Sequence, residues 1–309
     1  MFWSSSKIKR LKAMKSLNNS FDGSFNVEMG DLDLSNTLES LPGLSGSKKL
    51  FLGRFNSENL YSMMEKIGLV QHLKSIGFDS LLVDIDVDEN RISYMKLYWE
   101  ERIPAKQLID IRLSESSFIP DKKYFDNNTK ITPYNMIIIE WLSAKNPQKK
   151  FDDNKPQLPG QTNPGLGVLK YCFEMLYQMA KEVFKDGFLD IPDHMHGALM
   201  YSKKFKFFDP AHEGIIRAVA RDLRKYSLSD ISWGVITETI IDLTTNKPAI
   251  YDPGEQIHYV SDRMKKYFES KKYRTVFMKY YEKKKYFFDY EEMVKRRTKI
   301  LETKKIEDL

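Results

Sequence analysis

The sequence predicts an α/β protein built on a mixed, mostly antiparallel sheet of about six or seven strands, with helices on its faces. Runs of alternating or continuous apolar residues, which are typical of strands, fill much of residues 80–142. Segments with apolar residues at helical spacing precede and follow these runs. With 41% hydrophobic and 30% charged residues among 309, the chain has the composition of a globular protein with a core.

The first part of the chain is expected to be a flexible arm followed by the start of the sheet. Residues 1–46 are rich in Ser, Asn, Gly and Lys, whereas residues 47–260 have the texture of a folded domain. Asn56 is expected to begin an amphipathic helix that Gly77 ends. The other expectations here are a short strand at 50–52, an antiparallel hairpin of strands 80–87 and 91–99, a strand at 108–113 and a loop at 114–133.

The clearest strand of the sequence is predicted at 134–142, because its continuous run of three isoleucines indicates burial on both faces. The prolines and glycines between 155 and 167 exclude regular structure there. A long amphipathic helix follows at 168–186 and is ended by Gly187. The remaining expectations are a short strand at 188–191, a helical segment at 193–201, a strand at 204–208, a helix at 213–225, and a second hairpin of 233–242 with 249–260.

The positive charge is concentrated at the C-terminal end. The formal net charge is +6, and residues 261–309 hold 16 Lys and Arg against nine Asp and Glu. Lysines alternating with aromatic residues could bind a nucleic acid strand through phosphate contacts and base stacking. The spacing of Tyr273, Phe277 and Tyr280 favours instead a basic helical region whose aromatic face packs on the body and whose lysines face solvent. Nucleic-acid binding through 261–309 is therefore kept as an alternative only.

Several classes of protein are excluded by simple features of the chain. The longest apolar run, residues 136–139, is far shorter than the roughly 20 residues of a spanning helix. The first residues lack the apolar core of a secretory signal, so we expect a cytoplasmic protein. Cys172 is the only cysteine, which excludes a disulfide scaffold and a cysteine zinc cage. Its place on the apolar stripe of a helix indicates a buried small residue.

The loop before the long helix is a candidate phosphate site. A glycine-rich loop at a helix N-terminus offers backbone N–H groups and the positive end of the helix dipole to a phosphate. Gly165 and Gly167 would allow close approach because neither has a Cβ atom. The alternative is that the two glycines only make a sharp turn.

Two segments resemble the GNAT superfamily of acyl-CoA N-acyltransferases, and the resemblance covers residues 80–208. Residues 161–167, Gln-Thr-Asn-Pro-Gly-Leu-Gly, are similar to that superfamily's Arg/Gln-x-x-Gly-x-Gly/Ala pyrophosphate loop. Residues 196–201, His-Gly-Ala-Leu-Met-Tyr, precede Phe205-Lys206-Phe207 and are similar to its Asn-x-x-Ala-x-x-x-Tyr segment, which runs into an aromatic strand. The resemblance implies acetyl-CoA or another acyl-CoA as co-substrate, no metal, and an amine on a small molecule or protein as acceptor.

The resemblance also implies where the cofactor lies. The backbone of the strand at 134–142 would pair with the pantetheine arm, and the strand at 188–191 would part from it to admit the thioester. The cofactor-binding residues implied in this way are Trp141, Leu142, Gln161, Thr162, Gly165, Leu166, Gly167 and Val168.

Acyl transfer to an amine needs a base that takes a proton from the ammonium and an acid that protonates the leaving thiolate. The resemblance implies Glu140, at the end of the central strand, as the base and Tyr201 as the acid. His196, or its neighbour His194, is a candidate general base or substrate contact beside the thioester. The alternatives are a solubilising carboxylate for Glu140 and a core tyrosine for Tyr201.

Two other functions remain open at this point. His194 and His196, completed by Asp193 or by His212 and Glu213, could hold Zn or Fe in a hydrolase or oxygenase, although no His-Glu-x-x-His motif is present. The second possibility is a non-catalytic protein that binds CoA or a partner, with residues 261–309 as its interaction region.

Overall fold

The computed structural model describes residues 49–126, 129–152 and 156–309, so the arm expected at 1–46 lies outside the described residues. The strands are β1 (Leu81–Val87), β2 (Ser93–Trp99), β3 (Gln107–Phe118), β4 (Tyr134–Ala144), β5 (Gly187–Asp190), β6 (Lys206–Phe207), β7 (Ile240–Asp242), β8 (Lys247–Pro248), β9 (Gln256–Tyr259) and β10 (Tyr286–Phe288). The helices are α1 (Ser57–Lys66), α2 (Leu69–Ser75), α3 (Leu169–Glu182), α4 (Met195–Tyr201), α5 (Pro210–Asp222), α6 (Leu228–Ile236), α7 (Asp262–Phe268), α8 (Lys271–Lys283) and α9 (Tyr290–Leu301).

The larger sheet has seven strands in the order β1, β2, β3, β4, β5, β9, β6. Strands β1 to β4 pair antiparallel in chain order, beginning with the expected hairpin of β1 and β2. β4 and β5 are parallel neighbours, and the connection between them contains α3. β9 is antiparallel to β5 and β6, between which it lies. The mixed, mostly antiparallel sheet predicted from the sequence is confirmed.

Helices α1, α2 and α3 cover one face of this sheet. Their apolar stripes pack on the inward residues of the strands, for example Leu60 and Leu176 in one cluster with Leu97 and Ile137. Cys172 belongs to the same cluster and is completely buried, as expected. Burial raises the pKa of its thiol to about 12, so the thiol stays protonated at neutral pH.

The single helix expected after Asn56 is two helices. Asn56 caps α1 with a reciprocal capping box formed with Asn59. The chain then turns at Gly68, whose φ of +80° lies in the left-handed region, and α2 begins at the next residue. Glycine adopts this conformation without the steric cost that a Cβ atom imposes. The apolar stripe continues across the turn, which explains why the sequence reads as one helix.

An aromatic cluster covers half of the opposite face. Tyr267 and Phe268 of α7 and Tyr273 of α8 pack on residues of β4, β5 and β9. Gly214 of α5 allows α8 to come close, because a Cβ atom there would lie 2.6 Å from the carbonyl oxygen of Phe277. The predicted packing of the aromatic helix face on the body is confirmed.

A third apolar cluster joins the remaining helices to a small second sheet. This sheet has the order β10, β7, β8, so residues from the basic C-terminal region pair with a strand that precedes β9 in the chain. Trp233 of α6, Phe288 of β10 and Met293 of α9 are buried together in this cluster. Residues 261–309 therefore take part in two of the clusters that hold the molecule together.

The second hairpin expected from 233–242 and 249–260 is wrong. Ser227 and Asp230 form a capping box that begins α6, so Trp233 lies in a helix and only residues 240–242 are a strand. β7 pairs with the short β8 across a turn at 243–246, whereas β9 joins the other sheet. Residues 233–242 are rich in residue types that favour strands, so the sequence favoured a strand there. The capping box of Ser227 and Asp230 instead begins a helix.

Two smaller expectations also fail. Residues 50–52 are a turn in which Phe51 bridges to Phe55, not a strand of the sheet. β3 continues to Phe118, five residues into the expected loop, because residues 114–118 pair with the first half of β4.

Among the described helices, none is long and apolar enough to cross a membrane.

Candidate functional site

Glu140 is an extra residue in the pairing of β3 with β4. Arg112 pairs with Trp141 and Leu113 pairs with Ile139, so the strand register passes over Glu140, which forms a β-bulge. A bulge bends its strand and changes the direction in which side chains point. The central strand is therefore distorted at the residue predicted to be the general base.

β4 and β5 part at the level of this bulge. They pair only over three residues of each strand, Met136–Ile138 of β4 with 187–189 of β5. β5 then ends at Asp190, which pairs with Gln256 of β9, while β4 runs on to Ala144. The edge of β4 over residues 139–144, roughly 20 Å at 3.3 Å per residue, is thus not paired with β5.

The loop before α3 lies beside the C-terminal end of β4, where β4 and β5 are no longer paired. Lys145, just beyond β4, forms an antiparallel β-bridge with Gly165. The backbone N–H of Asn146 donates to the carbonyl oxygen of Pro164 over 2.7 Å. The structure therefore brings the predicted phosphate loop to the end of the predicted pantetheine strand.

The N-terminus of α3 is free of side-chain capping. Val168 is its N-cap and makes no side-chain hydrogen bond to the first turn. The N–H of Tyr171 donates to the carbonyl oxygen of Val168 over 2.9 Å, whereas the N–H groups of Leu169 and Lys170 come too early in the helix to find an intrahelical acceptor. The side chains of Leu166 and Val168 are buried in the core, whereas Gly165 and Gly167 are exposed. Gly167 has a φ of +73°, in the left-handed region that favours glycine. The loop thus turns its backbone, not its side chains, to the surface.

The other two loop residues predicted to bind the cofactor have different surroundings. The Gln161 side chain accepts a hydrogen bond from the N–H of Leu158 over 3.1 Å and so helps to shape its own turn. Thr162 is exposed. On β4, Trp141 and Leu142 are half-buried on opposite faces, because Trp141 packs near Arg112 and Leu142 packs on the core with α3.

Glu140 is buried, with 2% of its surface exposed. The Ser114 hydroxyl donates to Glu140 Oε1 over 2.6 Å. Ser114 points away from the cluster that contains its neighbour Leu113, so Glu140 lies on the sheet face opposite α1, α2 and α3. It is not the solubilising surface carboxylate that the sequence allowed.

Tyr201 lies on the other side of the sheet. It ends α4, is 8% exposed, and packs with Cys172, Phe173 and Phe205. Burial, together with the charge of Asp190, raises the pKa of its phenol well above the usual range. Tyr201 and Glu140 thus lie on opposite faces of the sheet.

His196 is at the junction of α4 with α6. Its Nδ1 lies 3.0 Å from Ser232 Oγ, and its ring stacks on His194 at 5.1 Å between centroids. Burial, and secondly His194, lowers the pKa of His196 to about 3. Burial also lowers the pKa of His194, against the opposing charge of Asp193. Both imidazoles are therefore neutral at physiological pH.

Two residues of the site were missed by the sequence reasoning. Asp190 is 5% exposed at the point where β5 leaves β4, and its charge acts on Tyr201. An acidic residue directly after the buried Phe188 and Leu189 was the available signal. Ser114 could not be found in this way, because only the pairing of β3 with β4 brings it to Glu140.

A cavity of about 440 Å³ lies elsewhere, between the end of β3, the start of α5 and the loop before β9. It has no wall in common with Glu140, Tyr201 or the loop at 164–168. Its lining is mainly aromatic and acidic and includes Phe118, Tyr124, Phe208, Asp209, His212 and Glu255.

In the part of the chain that the structure describes, no three His, Cys, Asp or Glu side chains are grouped so that they could hold a metal ion.

No family model matches the chain, and searches of curated proteins and of solved structures find no significant match.

Proposed function

We propose that this protein is an acyl-CoA-dependent N-acyltransferase with a GNAT-like fold. The observation that carries the proposal is the gap between β4 and β5, which ends at a glycine loop and an uncapped helix N-terminus. Along β4, the point where β5 parts from it, the edge over 139–144 and the glycine loop follow one another, as the thioester, the amide-rich arm and the pyrophosphate do in acyl-CoA.

Each part of the cofactor has a counterpart in this arrangement. The edge of β4 over 139–144, which does not pair with β5, can pair with the pantetheine amides as an added strand would. The N–H groups at the start of α3, with the helix dipole, suit the pyrophosphate. Gly165 and Gly167 leave room for the phosphate oxygens beside the backbone.

The reaction uses residues on both sides of the gap. Glu140 takes a proton from the acceptor ammonium, and the free amine attacks the thioester carbonyl carbon. A backbone N–H of β4 stabilises the oxyanion of the tetrahedral intermediate. When the C–S bond breaks, the Tyr201 hydroxyl donates to the leaving sulfur, and its raised pKa keeps it protonated until then. The tyrosinate formed in this step takes the second proton from the nitrogen, which becomes the neutral amide nitrogen, and Glu140 releases the first proton to solvent. Acylated amine and CoA leave.

The test is a calorimetric titration with acetyl-CoA, using a matched pair of variants at Gly165. A Cβ atom at Gly165 would have its nearest neighbour at 3.8 Å, so Gly165→Glu and Gly165→Gln should both fold. We expect the wild type and Gly165→Gln to bind and Gly165→Glu to lose at least tenfold in affinity, since only Glu repels the phosphates. Absence of acetyl-CoA binding to the wild type would remove the proposal.

A further inference from the structure

We propose that the acceptor is an α-amino acid or a similar small aminocarboxylate, and that Arg112 binds its carboxylate. This inference rests on the proposed function and names the class of its second substrate. It is carried by an arginine that is held rigidly beside Glu140, with hydrogen-bond donors still available.

The surroundings of Arg112 form the open half of the sheet face that carries Glu140. The aromatic cluster with α7 and α8 covers this face over the start of β4, β5 and β9. Tyr94 of β2, Arg112 of β3 and Trp141 of β4 lie outside that cluster and are half-exposed. A small molecule can therefore reach them from solvent.

The guanidinium of Arg112 is fixed on three sides. Asp110 accepts hydrogen bonds from Arg112 Nε over 3.2 Å and from Nη2 over 2.7 Å. The rings of Tyr94 and Trp141 lie 5.4 and 5.6 Å from the guanidinium carbon. The Tyr94 hydroxyl donates to Asp88 Oδ2 over 2.9 Å, which holds that ring in place. The guanidinium is therefore preorganised, so binding a ligand costs little side-chain entropy.

One edge of this guanidinium remains available. A guanidinium has five N–H groups, and Asp110 uses those of Nε and Nη2 on one edge. Within the described residues, Arg112 Nη1 has no hydrogen-bond partner, and the side chain is 36% exposed. The edge formed by Nη1 and Nη2 presents two parallel N–H groups, which is the geometry that a carboxylate accepts.

The position of Arg112 relates this edge to the reaction. Arg112 pairs with Trp141, directly beside the bulged Glu140. Ser114, two residues further along β3 and about 7 Å away, holds the Glu140 carboxylate. A ligand whose carboxylate binds Arg112 would thus place an amine a few ångströms away at the base that deprotonates it. An amine without a carboxylate would leave this edge of Arg112 unused.

The experiment compares each of the 20 L-amino acids with its primary amide, which removes the negative charge and keeps the amine and side chain. Binding to wild type is measured by calorimetry without CoA, and acyl transfer is measured separately with acetyl-CoA. We expect at least one amino acid to bind at least tenfold more tightly than its amide. In Arg112→Gln this preference should disappear while acetyl-CoA still binds. Arg102→Gln, an exposed Arg on the turn after β2, is the matched control and should behave as wild type.

Each outcome distinguishes the two proposals. Equal affinity of acids and amides for wild type, or acylation of carboxylate-free amines only, overturns the inference and leaves the acyltransferase proposal standing. Amino-acid binding without acetyl-CoA binding supports the carboxylate site and removes the acyltransferase. If Arg112→Gln fails to fold, the comparison of amino acids with their amides in the wild type still decides whether the site recognises a carboxylate. Arg112→Lys, which keeps the charge but loses the paired donors, should then show a partial loss of the preference.

Discussion

Ser114 donates a hydrogen bond to Glu140 across the β3–β4 pair, with 2.6 Å between Ser114 Oγ and Glu140 Oε1. The bond joins Glu140, the extra residue of the bulge in β4, to a hydroxyl on the neighbouring strand. Both residues are buried, so the bond is shielded from water and holds the carboxylate in one orientation.

Ser114→Ala should impair the base without affecting cofactor binding. A hydrogen bond to a charged group contributes about 1.5–3 kcal/mol, so we expect kcat to fall by roughly tenfold to a hundredfold. Acetyl-CoA affinity, measured by calorimetry, should not change, because the hydroxyl lies on the face away from α3. Ser117→Ala on the same strand is the control, and an equal loss of kcat in that variant would contradict the role of Ser114.

Glu140→Gln and Tyr201→Phe should both abolish most of the turnover while leaving acetyl-CoA binding intact. General acid or base groups contribute about a hundredfold or more, so a kcat loss of at least that size is expected for Glu140→Gln. Product formation is measured by release of free CoA thiol. A protein that binds acetyl-CoA equally well in all three forms and never releases CoA with any amine would be the non-catalytic alternative.

Stability should decrease as the pH falls from about 6.5 toward 3. His196 binds its proton with a pKa of about 3 when folded and near 6.5 when unfolded. The unfolded chain therefore takes up more protons in this range, and the free energy of unfolding decreases by up to roughly 1.4 kcal/mol per pH unit from this residue. His196→Asn, compared by urea unfolding at pH 7 and pH 5, should show a smaller decrease. Burial also lowers the pKa values of His194 and His258, so these residues should keep part of the pH dependence of stability in His196→Asn.

Gly214→Ala should destabilise the packing of α5 against α8. An added Cβ atom would lie 2.6 Å from the Phe277 carbonyl oxygen and 2.9 Å from Tyr280 Cβ, so one helix must move. Overpacking of this kind costs about 1–3 kcal/mol, although Ala within a helix is otherwise preferred to Gly. Urea unfolding of Gly214→Ala and Gly165→Ala checks this, since the second variant meets no atom closer than 3.8 Å. Equal stability of the two variants would contradict the close approach of the helices.

The strands of the first half of the sheet were predictable, because alternating apolar and polar residues mark a strand with one buried face and a continuous apolar run marks β4, which is buried on both faces. β1, β2 and β4 begin and end within a few residues of their expected bounds. α6 was misjudged because Ile231, Trp233 and Val235 are typical of strands, and a four-residue capping box outweighed that preference. Local signals of this kind compete, and tertiary packing decides which one prevails.

The candidate site likewise has features that the sequence predicted and features that only the structure showed. The sequence by itself determined the order of buried strand, glycine loop, amphipathic helix and short strand, because hydrophobic periodicity and glycine spacing are properties of the chain. Only the tertiary structure decided that Glu140 is a bulge, that β5 leaves β4 after three pairs, and that Arg112 and Ser114 lie beside Glu140. Strand register joins residues far apart in the chain, and a shift of one residue would turn each side chain to the other face. No local pattern contains that information.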